Sequence, residues 1–97
     1  MPSYVILINW TDQGIKNFNA TTERAQDFTN LVEKAGGHVR EVLWTVGDYD
    51  LTCVLDAPDD ETVAATLLKV GALGNIRTKT MRAFNADEMA RVLERAR

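Results

Sequence analysis

The sequence is poor in the residues that build metal, disulfide and nucleophilic sites: it has one cysteine, one histidine and two prolines in 97 residues. A lone cysteine, Cys53, excludes a disulfide within the chain, and no Cys/His spacing suits zinc. A reducing, cytoplasmic setting is expected. No Ser-His-Asp order, phosphate-binding glycine loop or metal-ligand spacing can be read, so no cofactor and no metal are expected. A basic excess is also missing. The net charge is -3, with the signs interspersed, which argues against a protein that tracks nucleic-acid phosphates. The longest apolar run, Tyr4 to Ile8, is far too short to span a bilayer, and no signal-like stretch opens the chain. Neither nucleic acid nor membrane is therefore expected as a partner. There is no linker, internal repeat or low-complexity segment.

What is present is an ordinary globular composition, 45% hydrophobic and 26% charged. Residues 1–97 read as one domain. Ser3 to Trp10 reads as a strand with both faces apolar: Tyr4, Ile6, Ile8 and Trp10 on one, Val5 and Leu7 on the other. Thr11 to Ala20 reads as a loop around Gly14. Thr21 or Thr22 can cap a first helix, whose apolar positions are Ala25, Phe28, Leu31, Val32 and Ala35, and Gly36-Gly37 ends it. His38 to Thr45 is a second strand, with Arg40 and Glu41 suited to an edge. Tyr49 to Asp56 is a third, apolar on both faces. After Pro58, Asp59 or Asp60 caps a helix with Val63, Ala64, Leu67 and Leu68 as its buried stripe, ended by Gly71. Ile76 to Phe84 is a fourth strand, polar enough for the other edge. Asn85 and Glu88 suit a capping box for a last helix bearing Met89, Val92, Leu93 and Ala96 on one face.

The order β-α-β-β-α-β plus a terminal helix is the α+β, ferredoxin-like pattern, with an antiparallel sheet ordered 4-1-3-2. That order centres the first and third strands, in agreement with their two-sided apolar character. Two helices cover one face only. The other carries Leu43, Val54, part of the first strand, Thr45, Asp50 and Thr52. An open apolar sheet face on so small a domain is a partner site, and a second copy meeting it through a two-fold is the expected partner, as a homodimer or higher homo-oligomer. Two facing sheets enclose a pocket for a small organic ligand.

The stretch Trp44 to Leu51 reads as a hairpin turning at Gly47-Asp48 in a two-residue type II′ turn, with Val46 opposite Tyr49, Thr45 opposite Asp50 and Trp44 opposite Leu51. Trp44 and Tyr49 then form an aromatic pair beside Asp50. In the antiparallel order Asn9, Trp10 and Thr11 reach the same end of the sheet as Thr45, Tyr49, Asp50, Gly71 and Gly74. The candidate ligand-binding residues are accordingly Asn9, Trp10, Thr11, Thr45, Tyr49 and Asp50. Asp50 has two readings. It can pin the Thr11–Gly14 loop by accepting hydrogen bonds, or serve as a general base in an apolar pocket, the one weak catalytic candidate in the chain. Tyr49, Trp10 and Trp44 have packing roles as the simpler alternative. His38, at the opposite end of the sheet, reads as a surface residue, and Cys53 as a small buried hydrophobe.

Four motifs, in order, are shared with a known family: Asn9-Trp10-Thr11-Asp12-Gln13-Gly14-Ile15, Gly47-Asp48-Tyr49-Asp50, Ala57-Pro58-Asp59-Asp60-Glu61 and Gly71-Ala72-Leu73-Gly74-Asn75-Ile76-Arg77-Thr78. Over essentially its whole length the chain resembles the GYD domain family, named from the Gly-x-Tyr-Asp turn. The resemblance implies a small bacterial or archaeal protein of the dimeric α+β barrel type. It brings no catalytic residues with it. The expected function is a homo-oligomeric small-molecule binding or regulatory module. The alternative is a cofactor-independent oxygenase, isomerase or cyclase using Asp50 as base.

Overall fold

A computed structural model describes residues 1–97. Four strands, β1 (Ser3–Trp10), β2 (His38–Trp44), β3 (Leu51–Asp56) and β4 (Ile76–Ala83), form one antiparallel sheet in the order β2-β3-β1-β4. This is the expected order, read from the other edge. Helices α2 (Thr21–Lys34) and α3 (Asp60–Ala72) cover one face, and α4 (Ala86–Ala96) follows β4. The expected loop after β1 is instead a short helix, α1 (Asp12–Lys16), and a 3-10 turn over Phe18–Ala20. Thr11 caps α1 by accepting from the Gly14 N–H, a role that competes with a coil reading of any Thr-Asp-Gln-Gly stretch. The 3-10 turn runs straight into α2, so Ala20 occupies its N-cap without a side-chain bond and neither threonine caps it.

The core lies between the sheet and the two helices. Tyr4, Ile6, Ile8, Leu51, Cys53 and Leu55 from the central strands meet Phe28 and Val32 of α2 and Val63 of α3. These side chains share one face because alternate strand residues point the same way. α3 is rotated from the expected stripe. Val63, Thr66, Leu67 and Val70 face the sheet, while Leu68 is 75% exposed and Ala64 is also exposed. Thr66 is tolerated inside because its hydroxyl donates to the Thr62 carbonyl at 2.9 Å. Gly71 lies within α3, and the stop comes at Leu73 and Gly74, the latter at φ +86°. Ala35 caps α2 and is exposed.

β2 is an edge strand with a bulge between Val39 and Glu41, which frees Arg40. Its guanidinium reaches Ser3 Oγ (3.0 Å) and the Asp56 carboxylate (3.2 Å), and Ser3 Oγ donates to Asp56 at 2.7 Å. The capping box of Asn85 and Glu88 forms as read. α4 nevertheless makes no substantial contact with the rest of the chain, and Met89, Val92 and Leu93 are exposed. The molecule is correspondingly elongated, 50 × 30 × 18 Å.

Candidate functional site

The six candidate residues gather at the end of the sheet where β1 stops. The Asp50 carboxylate accepts from the Trp10 N–H at 2.8 Å. The Asp50 N–H donates to the Ile8 carbonyl, and its carbonyl accepts from the Thr45 N–H, each at 2.9 Å. Thr45 Oγ1 donates to the Tyr49 carbonyl at 2.6 Å. Asp50 thus fastens β1 to the segment between β2 and β3. It does not hold the Thr11–Gly14 turn. That turn is fixed to the start of β4: Thr11 Oγ1 donates to the Gly74 carbonyl (2.6 Å), the Thr11 N–H to the Asn75 carbonyl (3.0 Å), and the Gln13 amide to Leu73 and Asn75. The approach is so close that a Cβ on Gly14 would lie 2.0 Å from the Asn75 carbonyl oxygen. Glycine is required there by space.

The hairpin pairs Trp44 with Leu51 and Thr45 with Asp50 as read, but Val46 to Tyr49 form an open loop. Gly47 sits at φ +145°, away from the value of about +60° a type II′ turn needs. Trp44 and Tyr49 do not pair. The Trp44 indole donates to Thr21 Oγ1 of α2 at 2.9 Å, on the helix face. The Tyr49 ring lies under Lys79 Nζ at 5.5 Å, and Lys79 is aligned with Leu7 on the open face. Asn9, aligned with Arg77, is half-buried. So Asn9, Thr45, Tyr49 and Asp50 belong with the open face and the hairpin. Trp10 is packed against the core on the helix side, and Thr11 serves the α1 cap.

The two strongly perturbed acids lie in the core. Burial pushes the Cys53 thiol up to about 12. Burial, then a hydrogen bond to the Asp60 carboxylate, pushes the Tyr4 phenol up to about 12. Both are neutral at physiological pH. His38 is exposed, paired in register with Asp56 at the far end. No three metal-ligating side chains converge anywhere, and no helix is long and apolar enough to cross a membrane.

The open face is apolar at its centre. Val5, Leu7 and Val54 are half-buried, and Leu43 and Met81 are about half exposed, at 51% and 47%. Sequence reading missed a second concave feature on the opposite face. α2 and α3 close against each other where Val32 and Ala35 approach Val63 and Thr66, leaving a void of only about 10 Å³. Toward the Trp10 end a cavity of about 530 Å³ opens over Ile8, Trp10, Leu51 and Ile76, lined by residues of both helices. Eleven of its fifteen lining residues are hydrophobic, and the polar ones include Arg24, Asp27 and Asn75. Residues of α2, α3 and the strands line this space together, and periodicity carries no record of how those elements sit against one another.

A family model described as the GYD domain matches residues 4–93. A Thermus thermophilus protein named a glutamine synthetase and cystathionine beta-lyase binding protein is 33% identical, over 95% of this chain and 99% of its own length. Among solved structures, one of a Thermus thermophilus protein superposes with a TM-score of 0.57 at 24% identity, covering 89% of this chain and 96% of that one. A feast or famine regulatory protein from Mycobacterium tuberculosis, solved with L-methionine, superposes with a TM-score of 0.67 at 13% identity. This chain covers 52% of that regulator, about half its length, with 89% of its own residues. At such identities the superpositions show a shared fold. The four motifs, the matched span and the Thermus relative together place this chain in the GYD domain family.

Proposed function

We propose that this chain is a homo-oligomeric binding module of regulatory type, which assembles through its open sheet face and acts by binding other molecules. The observation that carries the proposal is that open face, an apolar centre formed by Val5, Leu7, Val54, Leu43 and Met81 with no element of its own chain above it. Only 13 of 97 residues are buried, so a second sheet laid on this face would add substantially to a thin core. The Ser3–Asp56–Arg40 network supplies a polar border at one end, and Asn9, Thr45, Tyr49 and Asp50 supply one at the other. Between two such faces lies space for a small organic ligand. The relative's name, an enzyme-binding protein, supports a module whose targets include enzymes. The bond from the Trp10 N–H to Asp50 favours a scaffolding carboxylate over a general base, so we rank the cofactor-independent enzyme second.

Sedimentation velocity of the unmodified protein and of Val54→Glu tests the assembly. Val54 is half-buried within one chain, so the variant keeps its fold, while an unpaired charge inside a sheet-on-sheet interface costs several kcal/mol. The expected result is an oligomer that dissociates on substitution. A stable monomer of the unmodified protein at micromolar concentration defeats the proposal.

A further inference from the structure

We infer that the cavity between the sheet, α2 and α3 is a binding site for a small monocarboxylate with an apolar body, its carboxylate meeting Arg24. The volume comes first. About 530 Å³ lies within the range of small-molecule pockets. The walls are aliphatic and aromatic, with Trp10 and Phe28 among them, and water held there would lack hydrogen-bond partners over most of its surroundings. An apolar body is the complement of such walls.

The head group follows from Arg24. Its guanidinium donates to the carbonyls of Asn17 (2.8 Å) and Gly14 (3.2 Å). Those two bonds hold it in place and leave further N–H donors free. It has no carboxylate partner, for the ion pairs of the chain are Arg40 with Asp56 and Arg97 with Glu94. A fixed, half-buried guanidinium with no ion-pair partner, at the edge of an apolar cavity, suits a planar carboxylate. Asp27, the other charged lining residue, is exposed one turn further along α2. Its charge disfavours a second anionic group, which restricts the ligand to one carboxylate. The apolar stripe of α4 from a second copy is a competing occupant.

The site does not depend on assembly through the open face, and its test reads differently. Trp10 lines the cavity and the chain has two tryptophans, so Trp44→Phe leaves Trp10 as the sole tryptophan fluorophore. Titration with decanoate is expected to give a saturable change in Trp10 emission. The uncharged 1-decanol is expected to bind about tenfold more weakly, or worse, having lost the charge-assisted contact. Arg24→Gln should abolish that preference and leave 1-decanol binding unchanged. Ala25→Leu, which fills the cavity from α2, should weaken both probes, with circular dichroism confirming the fold. Absence of a saturable response to decanoate at millimolar concentration overturns the inference. So does a preference for decanoate that survives Arg24→Gln. Binding seen only in the dissociated Val54→Glu variant assigns the cavity to a second copy and overturns it too. Sedimentation without probe reports on the assembly separately.

Discussion

Replacing Asp50 separates a scaffolding carboxylate from one held for chemistry. In the folded chain its Oδ2 accepts from the Trp10 N–H at 2.8 Å, at the point where β1 leaves its pairing with β3. Hydrogen bonds to a charged group contribute about 1.5–3 kcal/mol, and neutral ones about 0.5–1.5 kcal/mol. Asp50→Ala removes the acceptor and leaves the Trp10 N–H, on a half-buried residue, without a partner. We expect a loss of about 2 kcal/mol, near the low end of the charged range because the site is partly open to water. Asp50→Asn keeps a carbonyl acceptor in the same position and loses only the charge. Its cost is expected to be about 1 kcal/mol or less. At about 4–8 °C per kcal/mol for a domain of this size, the alanine variant melts about 8–16 °C lower and the asparagine variant about half as far. Denaturant and thermal melts of the three proteins measure this directly. A carboxylate held in a pocket for proton transfer carries a desolvation cost that substitution relieves. Two variants as stable as the parent, or more so, would refute the scaffolding argument and restore Asp50 as a catalytic candidate.

Gly14→Ala should lower the urea midpoint by the equivalent of about 1–3 kcal/mol, because its Cβ meets the Asn75 carbonyl oxygen at 2.0 Å. Faster hydrogen exchange at the Thr11 amide, which donates to that same oxygen, would locate the damage, and an unchanged midpoint would contradict the close approach. A second expectation concerns alkaline pH. The Cys53 thiol is raised from 9.0 to about 12 and the Tyr4 phenol from 10.0 to about 12. The unfolded chain therefore loses these protons first. Stability is full below about pH 9 and falls as pH climbs toward 12. Tyr4→Phe should flatten the part of the urea-midpoint profile above pH 10, and Cys53 in the folded protein should resist thiol reagents at neutral pH.

The residues that the sequence brought together as a candidate site do meet at one end of the sheet. Their roles divide according to facts the chain order cannot carry. Trp44 and Tyr49 are close in sequence, yet one bonds Thr21 of α2 and the other lies under Lys79. The open loop after Trp44 breaks the alternation that would have kept them on one face. Thr11 and Gly14 answer to Gly74 and Asn75, about sixty residues away. The shared Gly and Asn motifs hinted at this contact without naming it.

Strand identity, strand order and several helix ends were legible from the sequence alone, although the start of α2 and the end of α3 fell elsewhere than read and α1 was read as a loop. Two-sided apolar alternation marked β1 and β3 as central, charge and polarity marked β2 and β4 as edges, Asp59 and Asn85 cap helices with their side chains, and Gly36 ends one at a positive φ. The same periodicity is blind to how one element sits against another. Only the tertiary structure turned Val70 of α3 toward the sheet in place of Leu68, left α4 without substantial contact in its own chain, and brought α2, α3 and the sheet around the cavity over Trp10. Those outcomes are set by how whole elements are placed and rotated. They arise when whole surfaces compete for one sheet face, a competition that no single stretch of sequence contains.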